Sequence, residues 1–190
     1  MADSVRLALP SEARAIAGVQ RRHWTQVLPE PLAAAMLDNL VEDEMAEAWH
    51  TAITRPPQAR YRVLVAVEQR RVVGFATTLP CADPDTAQPD DGEIDEFVVD
   101  PLAQRRGHGS RLMHACVDTL RADGFTRALH WVGSTDDIAR TFFLAAGWAA
   151  DGSHRELGTA DDTGESSSDS GAAKALRLRQ VRLHTDIAAS

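Results

Sequence analysis

Strand-like alternation and helical spacing interleave along this chain and predict an α/β fold in the α+β sense, helices laid on one sheet. Two stretches carry that prediction. Tyr61–Glu68 and Arg71–Leu79 are β-branched runs joined by a tight Gln69-Arg70 turn, which reads as a hairpin. Further on, a strand over Glu93–Asp100 leads through a glycine-containing turn into a helix from about Gly109 to Asp123, and a second strand follows at Thr126–Val132. The 190 residues suit one domain of ordinary size, spanning 1–190.

The flanking elements follow from the same rules. Val5–Leu9 alternates as a short strand, and Pro10-Ser11 breaks it, offering Ser11 as the N-cap of a helix over about 11–24. Ala13, Ile16, Ala17, Val19 and Trp24 form its apolar face. After Pro29 and Pro31, residues Leu32, Met36, Leu37, Leu40, Met45 and Trp49 recur at helical spacing, in a helix open to a break. Pro80–Gly92, rich in Pro, Asp and Ala, reads as an exposed loop. Leu112, Met113, Cys116, Val117 and Leu120 share one helix face, Gly124 stops that helix, and Asp136–Ala146 is helical with Gly147 as its stop. Residues 158–173 hold no apolar side chain larger than Ala and read as a mobile loop. Beyond them Leu176, Leu178, Val181 and Leu183 return near strand spacing and imply pairing back onto the sheet.

Composition narrows the function classes. A formal net charge of −8 argues against a nucleic-acid binder, which needs a basic face, and favours cationic partners. No stretch approaches membrane-spanning length, and the first residues lack a basic start followed by an apolar run, so the expected setting is cytoplasmic, with no membrane partner. Cys81 and Cys116, one in a loop and one inside a helical pattern, suit neither a disulfide framework nor zinc, and no metal is expected.

The chemistry concentrates at Gln104-Arg105-Arg106-Gly107-His108-Gly109, between the strand ending at Asp100-Pro101 and the amphipathic helix. A diphosphate needs converging N–H groups, a backbone that comes close, and a helix N-terminus with its partial positive charge. Glycines permit the approach, and Arg105, Arg106 and Arg111 add formal charge. A lone Gly-x-Gly also describes an ordinary helix start. No Gly-Lys-Ser/Thr follows, which excludes the nucleotide P-loop, and no third glycine completes the dinucleotide pattern.

The turn resembles the GNAT superfamily signature of N-acyltransferases, Gln/Arg-x-x-Gly-x-Gly/Ala, and it follows that family's Val-Asp-Pro strand end as Val99-Asp100-Pro101. Val5–Leu9 is similar to the family's first strand, Tyr61–Leu79 to its strand pair, and Ala139–Trp148 to its Ala-x-x-Phe-Tyr-x-x-x-Gly-Phe helix. The resemblance implies a mixed, mostly antiparallel sheet of about seven strands flanked by about four helices and splayed at the coenzyme A site. It implies acetyl-CoA as co-substrate, its pantetheine paired with backbone groups of Phe97, Val98 and Val99, and its pyrophosphate held by amides of Arg105, Arg106, Gly107, His108, Gly109 and Ser110. The implied reaction is direct attack by a primary amine of a small molecule, peptide or protein on the thioester, without a protein nucleophile. Family members are often homodimers; no surface for that is marked in the sequence.

The chain departs from the family at two places. Phe143 stands where a Tyr usually serves as acid, and a phenyl ring donates no proton. Asp136 stands where the family often has an Asn that contacts the pantetheine or orders the helix start, and an Asp there can cap the helix; Ser134, Thr135 and Asp136 are polar neighbours in sequence. With that acid absent, a non-catalytic acyl-CoA-binding or sensing domain is the alternative. The incoming amine must lose a proton, and Glu93, Asp95 and Glu96 are the candidate bases; alternation puts Asp95 and Phe97 on one face and Glu96 and Val98 on the other. Glu96 is preferred, with Asp95 second. From Asp83 to Glu96 the chain carries seven acidic residues and no basic one, a run that either attracts a cationic amine or is simply solvated. His130, His154, Trp24, Trp131 and Trp148 read as packing residues before they read as site residues.

Overall fold

A computed structural model describes residues 4–28, 30–39, 41–82, 88–158 and 177–188. The alternating runs form β1 (Ser4–Leu7), β2 (Arg62–Glu68), β3 (Arg71–Pro80), β4 (Asp91–Val99), β5 (Arg127–Gly133), β6 (Ala149–Gly158) and β7 (Arg177–Asp186). They belong to one sheet in the order β1-β2-β3-β4-β5-β7-β6. From β1 to β4 each strand is antiparallel to the next, while β4 and β5 run parallel. The periodic stretches form α1 (Ala13–Val27), α2 (Glu30–Asn39), α3 (Glu42–Thr54), α4 (His108–Ala122) and α5 (Asp137–Ala145). This is the mixed, mostly antiparallel sheet of seven strands that the motifs imply. The helices number five among the described residues because the run after Pro31 is in two pieces. Val41 is extended, and Glu42, Asp43 and Glu44 then open α3, three carboxylates at the positive end of a helix.

Backbone contacts divide the chain into two compact units, Met1–His130 with His184–Ser190, and Trp131–Leu183. In the first, Ile16 and Val19 of α1 pack on Val63, Val65, Phe75 and Val98 of the sheet, with Trp49 and Ile53 of α3 against the same cluster. Ala66 and Val73, at alternate strand positions, belong to a separate cluster with Ala103. Leu112, Met113, Cys116 and Leu120 of α4 are buried, the stripe expected from the sequence. Gly74 lets β3 and β4 come close: a Cβ there would stand 2.8 Å from the Val98 carbonyl oxygen. In the second unit, Trp131 lies under two guanidinium groups, Arg155 at 4.4 Å and Arg182 at 5.5 Å from its ring centre.

Two sequence expectations are corrected and one strand is added. Ser11 does not cap α1: Pro10–Glu12 forms a short 3-10 turn, and the Glu12 carboxylate accepts from the Leu9 amide at 2.8 Å while gripping Arg6. Pro80 and Asp91–Gly92 belong to strands, because Pro80 pairs with Gly92 and the Asp91 carbonyl takes the Cys81 amide. Ala149–Gly158 is a strand that alternation does not mark, its side chains being mostly small or polar. Cys81 and Cys116 are free thiols, the latter buried. The segment read as a mobile loop lies, from residue 159, outside the described residues.

Asp91 anchors the β4–β5 ladder. Its carboxylate is buried, takes two hydrogen bonds from Arg127 and a third from the Gln88 amide. Replacing it strands a half-buried guanidinium and an amide, so Asp91→Ala is expected to lower the unfolding free energy by about 2–4 kcal/mol in urea denaturation. A change below about 0.5 kcal/mol would show the pair to be incidental.

Candidate functional site

The turn between β4 and α4 is built from the strand end outward. Asp100 is buried, and its carboxylate accepts from the Leu102 amide at 3.0 Å, capping the 3-10 turn Pro101–Ala103. Arg22 of α1 reaches the same carboxylate through Nη2 at 2.6 Å and Nε at 3.2 Å. Burial alone would raise the pKa of Asp100; Arg22 and the Leu102 amide outweigh it and hold the carboxyl below the usual range. Arg105 at φ 60° and Gly107 at φ 81° both adopt the left-handed region, so the chain doubles back twice before α4 begins. Gly107 is the N-cap and supplies no side chain, so the first-turn amides of His108, Gly109 and Ser110 have no side-chain cap. Those amides stand at the positive end of the α4 dipole.

The side chains of this turn divide. Arg105 and Ser110 are exposed, Gly109 half-buried. Arg106 holds Glu68 at 2.6 Å, so its charge is already engaged at the end of β2. The His108 side chain is 1% exposed. A guanidinium can only donate, so Arg111 Nη2 at 3.0 Å makes His108 Nδ1 the acceptor and leaves the ring proton on Nε2, 3.4 Å from Glu68 Oε1. Glu68 thus ties β2 to Arg106 and lies beside His108 without a hydrogen bond to it. No spacing rule in the sequence connects Glu68 to the turn; only the fold brings them together.

Beyond the turn, β4 has a partner on one side only. Its ladder with β5 runs from Asp91↔Arg127 to Ile94↔His130, and no β5 pairing follows for Asp95–Val99 among the described residues. On the other side Phe97, Val98 and Val99 pair with Ala76, Phe75 and Gly74. A bulge between Ala76 and Thr78 sets two β4 residues, Asp95 and Glu96, against Thr77, whose hydroxyl accepts the Glu96 amide at 2.9 Å. Val98 is buried under α1. Phe97 points to the other face, its ring edge-on to that of His130 at 6.1 Å. His130 is buried, its Nδ1 2.6 Å from the Ile94 carbonyl oxygen. The candidate bases separate likewise: Asp95 is exposed, Glu93 buried, and Glu96 half-buried on the side of α1.

Glu96 is wired to the helices. The indole N–H of Trp49 donates to Gln20 Oε1 at 2.8 Å, which orients the amide so that its NH2 faces Glu96 Oε1 at 3.4 Å. Burial pushes the Glu96 carboxyl up, the neighbouring Asp95 charge adds to the rise, and the Gln20 hydrogen bond opposes both; the result is about 7. Gln20 also lines an open cavity of about 350 Å³ between α1 and α3, with Trp24, Glu44, Met45, Ala48 and Trp49 around it. Gln20 was not singled out from the sequence. The available signal was a polar residue four positions from both Ile16 and Trp24, inside an apolar helix face.

The acidic run Asp83–Glu96 does not act as one surface: Asp91 is committed to Arg127 and Glu93 is buried, while Asp83 and Asp85 lie outside the described residues. In the second unit, Phe143 is 0% exposed and meets the rings of Phe142 and Trp148 edge-on at 5.3 and 5.0 Å. Asp136 caps α5, accepting from the Ala139 amide at 2.9 Å.

With this geometry described, comparison with known proteins is informative. The profile of the Acetyltransferase (GNAT) family matches residues 28–148, so the chain belongs to the GNAT acetyltransferase family. No curated protein matches it significantly. Among solved structures, an N-acetyltransferase from Staphylococcus aureus Mu50 is similar with a TM-score of 0.70 at 16% identity, covering 99% of this chain and 100% of the other. The yncA structure from Salmonella typhimurium, solved with its cofactor acetyl-CoA, reaches 0.68 at 15% identity over 100% and 96%. The PaiA N-acetyltransferase from Thermoplasma acidophilum, in complex with coenzyme A, reaches 0.66 at 10% identity over 98% and 99%. At these identities the likeness is one of fold.

The raised Glu96 pKa has two measurable signs. Carboxyl-selective NMR titration is expected to show a midpoint near 7 for Glu96, and Gln20→Leu, which removes a bond favouring the carboxylate, moves it higher; a midpoint near the ordinary 4.5 refutes the assignment. Between about 4.5 and 7 the folded chain keeps a proton that the unfolded chain releases, so Glu96 subtracts from stability as pH rises through that window.

Proposed function

We propose that this chain transfers an acetyl group from acetyl-CoA to the primary amine of a small acceptor, by direct attack in a ternary complex. The observation that carries the reading is the meeting, on β4, of an open backbone edge at Asp95–Val99 with a carboxyl held at about 7 beneath α1. Pantetheine pairs with the free edge of Phe97, Val98 and Val99 as an added strand would, and its pyrophosphate rests on the amides from Arg105 to Ser110. Arg105 supplies exposed positive charge nearby, while Arg106 is engaged by Glu68 and Arg111 by His108. The acceptor enters by the cavity between α1 and α3.

In this scheme the amine nitrogen attacks the thioester carbonyl, a C–N bond forms, and the C–S bond breaks to release coenzyme A thiolate. The proton leaving the nitrogen passes to Glu96, directly or through one water, and a group that titrates near 7 is suited to accept it at neutral pH. Phe143 takes no part, being a buried packing residue without an acidic proton. The thiolate is a competent leaving group and is protonated by solvent.

Coenzyme A thiol release in the presence of an amine panel tests the reaction. The rate is expected to rise with pH through about 7, and Glu96→Gln to lower kcat/KM by about 100-fold or more and remove that limb of the profile. Coenzyme A binding without thiol release from any amine would turn the reading toward a sensing domain. Binding has its own check. Forcing a β-branched residue into the left-handed position costs roughly 1–2 kcal/mol, so Gly107→Val is expected to weaken coenzyme A about tenfold in calorimetry. Unchanged affinity would move the pyrophosphate elsewhere.

A further inference from the structure

The cavity between α1 and α3 also bears on the kind of amine taken, an inference that rests on the acetyl-transfer reading above. Its lining is unequal. Met45 and Ala48 and the indoles of Trp24 and Trp49 are apolar, and the polar groups are two: Gln20 at the inner end and Glu44 at the exposed side. Trp49 is held from two directions, by its N–H on Gln20 and by an edge-on contact with Phe75 at 4.9 Å, so its ring is a fixed wall. Glu44 enters no ion pair among the described residues, although its neighbours Glu42 and Asp43 are both engaged by Arg14. A volume of about 350 Å³ stands at the lower end of the range for small-molecule sites, roughly 300–1,000 Å³.

We propose that the acceptor is a small arylalkylamine, its ring seated against Trp24 and Trp49, its ammonium drawn in by Glu44 and its nitrogen delivered toward Glu96 beside Gln20. Apolar walls reward an aromatic body, and a single rim carboxylate suits a single cation. A polyamine or an aminoglycoside would leave further charges against indole and thioether surface with nothing to pair them. An amino acid would bring its own carboxylate toward Glu44 and Glu96.

The experiment compares 2-phenylethylamine, butylamine, spermidine and lysine by thiol release from acetyl-CoA, together with calorimetric binding of 2-phenylethylamine to the coenzyme A complex. The expected result is a kcat/KM for 2-phenylethylamine at least tenfold above that for spermidine or lysine. Trp24→Ala raises its KM about tenfold and that of butylamine much less, and Glu44→Gln raises KM for both amines. Preference for spermidine or lysine, or a Trp24→Ala effect equal for all amines, overturns the seat and leaves acetyl transfer standing. Thiol release from no amine, with 2-phenylethylamine bound by the wild type and weakened in Trp24→Ala, upholds the seat and overturns the transfer reading.

Discussion

The site depends on one constraint: after Ile94, β4 keeps its ladder with β3 and, among the described residues, has none with β5. A strand paired on both sides has no backbone groups to give a ligand, and a strand paired on neither would not hold its position. Half-pairing supplies both needs. The bulge opposite Thr77 belongs to the same arrangement, since the extra residue on β4 is where Glu96 meets α1, and the Thr77 hydroxyl satisfies the amide that the bulge would otherwise orphan.

Charged groups around this strand have divided roles. Asp91 and Asp100, at its start and just past its end, are gripped by Arg127 and Arg22 as fixtures of the fold, and Arg22 with the Leu102 amide holds the Asp100 carboxyl below the usual range. Glu96, between them, meets no cation among the described contacts, only an amide at hydrogen-bond limit and a neighbouring negative charge. Burial therefore acts on Glu96 and Asp100 with opposite outcomes, decided by whether an arginine stands opposite. That difference separates a structural carboxylate from one able to exchange a proton near neutrality.

Legibility in the sequence followed how local each cause was. The hairpin, the α4 stripe and the strand–turn–helix around Gly107 rest on alternation, helical spacing and glycine, and all are present with small shifts of boundary. Ser11 failed because Glu12, one residue on, offered a stronger acceptor that also paired with Arg6. β6 escaped notice because few of its side chains are apolar. At the site, the turn was readable, while Gln20, Glu44 and Glu68 were not. Gln20 and Glu68 matter through partners some 30 to 80 positions away, and Glu44 through a cavity wall shared with α1, meetings no periodicity records.

α1 deserves a last look as a mechanical part. Within three residues it sends Gln20 to Glu96 and Arg22 to Asp100, so one rigid rod is pinned to the carboxyl at the β4 bulge and to the carboxylate that caps the turn after β4. Two pins on one rod make the bulge and the strand end parts of a single lever. Ligands that displaced α1 from either place would each change the free energy of binding the other, by thermodynamic reciprocity equally in both directions. The size of that coupling would be set by how stiffly a single helix is held.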